Sequence, residues 1–108
     1  MNLQLEKRPF RFWGEDYELV CNMAALEDLE NCYGGSMKDA MADTVEHVSA
    51  KLALCMLNRA RKKRGEEPVS EEAFAEELSY AMLQEADIFG MFLRAMSAKV
   101  PRPENSGN

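Results

Sequence analysis

The stretch from Phe10 to Gly35, FRFWGEDYELVCNMAALEDLENCYGG, limits the possible folds of this chain more than any other. Its hydrophobic period is that of a strand up to Cys21 and that of a helix afterwards. Phe10 and Phe12 alternate with Arg11, and Leu19 and Cys21 alternate with Val20, which predicts a β-hairpin over about 9–21. Pairing Phe12 with Leu19 sets Phe10 opposite Cys21 and gives one continuous apolar face. That register implies a two- or four-residue connection around Gly14, Glu15 and Asp16. Pro9 has no N–H to donate, so the first strand starts there or runs along an edge. Trp13 and Val20 fall on the opposite face, left for solvent or a partner. A hairpin alone is marginal in water, so this one must pack on helices.

The remainder reads as helix. Asn22 is an N-cap for a helix over about 22–33, where Ala25, Leu26, Leu29, Cys32 and Tyr33 share a face and Gly34–Gly35 stop the run. Ser36 with Asp39 resembles a capping box. From 37 to 64 the pattern stays helical, with Met41, Val45, Val48, Leu52 and Cys55 as its stripe. Leu54, Met56 and Leu57 widen that stripe, so this helix is contacted on more than one side. Thr44 either breaks it or sits inside it. Ser70 caps a helix over about 70–84, with a Val69–Phe74 staple and a stripe of Phe74, Leu78, Ala81 and Met82. A last helix over about 86–99 carries Ile88, Phe89, Phe92, Leu93 and Met96. Gly90 weakens it by about 1 kcal/mol relative to alanine. VPRPENSGN, over 100–108, reads as a disordered tail. The expectation is a mainly α chain: a short N-terminal β-hairpin, then about four helices, in one compact domain over 1–99.

A chain of 108 residues holds one modest core and little room for a deep catalytic cleft. Its net charge of −6 repels a phosphate backbone, which argues against nucleic-acid binding. No stretch approaches the roughly 20 apolar residues of a membrane span. Cys21, Cys32 and Cys55 follow no regular spacing and read as reduced, small apolar residues, and MNLQLEKRPF lacks a signal-peptide core. The expected compartment is the cytoplasm.

Chemistry is sparse. His47 is the single histidine, with Asp43 four residues earlier, but no metal-ligand spacing surrounds it, and it reads as solvated or paired along its helix. The carboxylates of LEDLE fit a solvated face. Gly34–Gly35 lacks the Lys and Ser/Thr of a phosphate loop. No catalytic residue, metal or cofactor is expected. Arg59, Arg61, Lys62, Lys63 and Arg64 suit either an acidic partner or a helix C-terminus facing Glu71, Glu72, Glu76 and Glu77, and the second is favoured. Met23, Met37, Met41, Met56, Met82, Met91 and Met96 either fill the core or build a pliable groove. The candidate partner-binding residues are Trp13, Val20, Met91, Phe92 and Met96.

An aromatic hairpin with a Gly-acidic turn, a capped helix, a double glycine and an all-helical remainder resembles the tail assembly chaperones of long-tailed bacteriophages and gene-transfer-agent-like particles. Gly14, Tyr17, Leu19, Ala24, Leu26, Leu29, Glu30 and Gly34 carry the resemblance, with the EEL segment at Glu76–Leu78 as a weaker echo. It implies a non-catalytic holdase in a bacterial host cell. Such a protein binds and solubilises the long tape-measure protein and helps recruit tail-tube subunits. A homo-oligomer is compatible with that role. Composition fits a rival equally well: a small acidic regulatory protein, antitoxin-like or an inhibitor of a host enzyme.

Overall fold

A computed structural model describes residues 5–99. Two strands, β1 (Glu6–Phe12) and β2 (Glu15–Cys21), form an antiparallel hairpin. Six helices follow among the described residues: α1 (Met23–Cys32), α2 (Met37–Ala42), α3 (Val45–Lys63), α4 (Glu71–Glu77), α5 (Tyr80–Glu85) and α6 (Ile88–Lys99). The chain is mainly α with an N-terminal hairpin, as its pattern predicts. The expected tail over 100–108 lies outside the described residues.

The hairpin's inner face is the expected one, since Phe10, Phe12, Tyr17, Leu19 and Cys21 are all buried. Its register is not. Phe12 pairs with Glu15, Phe10 with Tyr17, Arg8 with Leu19 and Glu6 with Cys21. The turn is Trp13–Gly14, with φ of 52° and 74°, the doubly positive backbone of a two-residue hairpin turn. This tight turn extends the ladder back past Pro9 to Glu6, and β1 does not start at the proline. The two registers differ by an even number of residues, so the same side chains point inward in both. Pro9 is tolerated because each strand of a two-stranded sheet has a free edge.

α3 is the hub, packing against the hairpin and against α1, α4, α5 and α6. Its six consecutive residues Leu52–Leu57 are all buried, as contact on several sides requires. Of the two alternatives for 37–64, the break at Thr44 is the one found, and the single helix expected over 70–84 is two shorter ones. Asp43 ends α2, donating its N–H to the Ala40 carbonyl, and the Thr44 hydroxyl accepts the His47 N–H at 3.2 Å to start α3. Asp43 Oδ2 accepts the Tyr33 hydroxyl at 2.6 Å and Oδ1 accepts the Thr44 N–H at 2.7 Å. These side-chain bonds offer the backbone an alternative to continuing the helix. Likewise Ser79 caps α5 by accepting the Met82 N–H, which separates α4 from α5. The caps at Asn22 and Ser70 form as predicted, and Val69 and Phe74 are both buried.

The core differs from the expected stripes at several positions. Met41, Val45 and Leu93 are exposed, as is Ala81, while Leu83 is buried in its stead. The corner at Asp43–Thr44 rotates Met41 and Val45 off the inward face, and the break at Ser79 does the same for Ala81.

Candidate functional site

Aromatic packing at the hairpin's inner face supports one open cleft. Phe74, from α4, lies 5.4 Å from the Phe12 ring and 6.4 Å from the Phe10 ring, centroid to centroid. Its burial is forced by the Val69–Phe74 staple and the Ser70 cap, which fix the direction in which α4 leaves the loop. On its other side Phe74 joins Ala50, Leu54, Ala75 and Leu78 in lining a cleft of about 240 Å³ between α3 and α4. His47, Lys51 and Glu71 form the rim. Lys51 Nζ reaches Glu71 Oε2 at 3.3 Å and lies 5.8 Å from the centroid of the Tyr33 ring. The cleft is below the roughly 300–1,000 Å³ of small-molecule sites. It suits one or two apolar side chains presented by a partner. His47 hydrogen-bonds Asp43 through Nδ1 at 3.2 Å, the pairing along the helix that its spacing allows.

The sequence-predicted contact residues do not converge on this cleft. Trp13 is 51% exposed at the hairpin turn, yet its ring stacks 4.8 Å from Phe12 and 5.4 Å from the Arg61 guanidinium. Val20 is half-buried in a separate depression of about 430 Å³ bordered by Met56, Ala60, Arg59, Lys63 and Arg64. Met91, Phe92 and Met96 are core residues, between 0% and 4% exposed, on the inner face of α6. Their expected place on a partner surface is therefore corrected: helical spacing turns all three toward α3, and Leu93 is the outward residue. Of the internal methionines, Met23 and Met41 are the exposed ones.

The basic run is also placed differently. Arg59 grips Asp28 of α1 with two hydrogen bonds, 2.7 and 3.0 Å. Arg61 donates to the Tyr17 hydroxyl at 2.8 Å and to the Glu67 carbonyl at 2.6 Å. Arg64 donates to the Asp16 carbonyl at 3.0 Å and to Glu15 at 3.2 Å, and covers the Tyr17 ring at 4.4 Å. Tyr17 in turn donates to Glu66 at 2.9 Å. Burial, followed by that bond, raises the Tyr17 hydroxyl above its usual range. The acids answering these arginines come from the hairpin tip, α1 and the loop after α3, not from the start of α4. The run fastens the hairpin to the end of α3.

No group of three His, Cys, Asp or Glu side chains positioned to hold a metal occurs among the described residues, and none of the helices is long and apolar enough to cross a membrane. Comparison with protein-family models, with curated proteins and with solved structures finds no match.

Proposed function

We propose that this chain is a non-catalytic assembly chaperone that holds a long helical client in solution by taking its apolar side chains into the α3–α4 cleft. The observation that supports this is the cleft itself: an open, largely apolar depression whose floor, Phe74, is braced from behind by the hairpin aromatics. A client helix presents apolar side chains three and four residues apart, and one such pair fits a cleft of about 240 Å³. The rim carries both signs of charge, which orients a client without strong net attraction. The resemblance to phage tail assembly chaperones names the client class: the tape-measure protein, with tail-tube subunits recruited afterwards.

Co-expression with a tape-measure protein of a long-tailed phage tests the reading. The client is expected to be soluble with this chain and to aggregate without it. Ala75→Trp fills the cleft from an exposed position on α4. It is expected to leave the unfolding midpoint in place and to release the client. A client that stays soluble alone removes the holdase role. A client still held by Ala75→Trp moves binding away from this cleft.

A further inference from the structure

We propose that Cys32 and Cys55 form an oxidation site, closing reversibly to a disulfide that staples the end of α1 to the middle of α3. Their sulfurs stand 4.0 Å apart. The two thiols differ in access: Cys32 is exposed and Cys55 is buried. An oxidant reaches the first, and the second waits beside it as the resolving thiol. Burial, and after it the neighbouring Cys32 sulfur, pushes the Cys55 thiol up, which leaves the exposed Cys32 as the sulfur an oxidant meets first. A disulfide requires an S–S distance of about 2.05 Å. Cys32 is the last residue of α1, directly before the Tyr33 cap and Gly34–Gly35. The approach is therefore made by a helix end and not by the middle of a packed helix.

The step balances with hydrogen peroxide as oxidant. The Cys32 thiolate attacks one peroxide oxygen, the O–O bond breaks, and a sulfenic acid and hydroxide form; the hydroxide takes up a proton as water. The Cys55 sulfur then attacks the Cys32 sulfur. The S–S bond forms, the S–O bond breaks, and a second water leaves with the Cys55 proton. Two thiols have lost two electrons and the peroxide has gained them. An external dithiol reverses the reaction by exchange.

The inference does not depend on the client reading, and its test needs no client. The full chain is treated with hydrogen peroxide, its remaining thiols are alkylated, and the digest is mapped by mass spectrometry. The expected product is a monomer in which the Cys32 and Cys55 peptides are linked, the pair lighter by two hydrogens than the two free peptides, with Cys21 alkylated. Dithiothreitol is expected to restore all three thiols. Closure is expected to raise Tm by about 10 °C. Cys32→Ser, at an exposed position, is expected to abolish the link. A link through Cys21, a Cys32-linked dimer, or sulfinic acid at Cys32 without a link would each overturn the assignment.

Discussion

Asp87 folds its carboxylate over the first turn of α6 so closely that a Cβ on Gly90 would overlap Asp87 Oδ1. Gly90 is a helical glycine kept for space. Asp87 itself has a φ of 52° and holds Arg94 at 2.7 Å. Alanine at 90 would ordinarily gain about 1 kcal/mol of helix propensity. Here it must displace the carboxylate and break the Arg94 contact, an exposed pair worth up to about 1 kcal/mol. Gly90→Ala alone is therefore expected to change stability by less than about 0.5 kcal/mol. In an Asp87→Gly background, where the positive φ is free of strain and no carboxylate obstructs, the same change should stabilise by about 1 kcal/mol. Urea unfolding of the four proteins gives the coupling, and simple additivity would refute it.

Arg94 predicts the acid limb of stability. It donates to Glu6 at 2.7 and 2.9 Å and to Asp87 at 2.7 Å. These bonds hold both carboxyls below their usual range, against the smaller opposing effect of burial. A depressed carboxyl contributes stability that is present above its ordinary pKa of about 4 and is lost as pH falls through the folded value. Arg94→Gln should lower Tm modestly at neutral pH, because the groups are partly solvated. The gap from the parent should be full above the ordinary carboxyl value of about 4 and close as pH falls through the lowered folded values. A gap that persists unchanged into acid would show that Arg94 acts by packing alone.

Much of this fold is legible in the sequence where the signal is local. The inner face of the hairpin follows from the alternation around Phe10 and Leu19, and the caps at Asn22 and Ser70 follow from residue type. The register is hidden because its turn places Trp13, a bulky residue, at positive φ, which no propensity suggests. The break before α3 is half legible: Thr44 offers it, and Tyr33 reaching Asp43 across ten positions is what the sequence hides. The break before α5 is hidden differently: Met82 sulfur, 3.4 Å from the Ser79 N–H, stands where a capping box normally has Glu or Gln. The cleft belongs to neither α3 nor α4 alone. Leu54, outside the main stripe of its helix, is the one residue whose position hints at it.

Trp13 gives a prediction about the turn. The left-handed backbone costs a bulky residue about 1–2 kcal/mol, while stacking on Phe12 and Arg61 returns a similar amount. Trp13→Asn suits the backbone and forfeits the stack. Stability is expected to stay within about 1 kcal/mol of the parent by denaturant unfolding. A larger loss would make Trp13 a structural anchor. Client binding by Trp13→Asn should be unchanged, since Trp13 does not line the α3–α4 cleft.

Ser49 is the buried exception in α3. It is 3% exposed, and its Oγ has no hydrogen-bond partner among the described residues. A buried hydroxyl without a partner costs about 1–3 kcal/mol of desolvation, and serine is a weaker helix former than alanine. Removing one oxygen leaves almost no cavity. Ser49→Ala is therefore expected to stabilise the chain by about 1 kcal/mol. The readout is a higher urea midpoint at unchanged slope, which separates a gain in native stability from a change in the unfolded ensemble. A lower midpoint would mean that the hydroxyl is satisfied in solution by a helix carbonyl or a buried water.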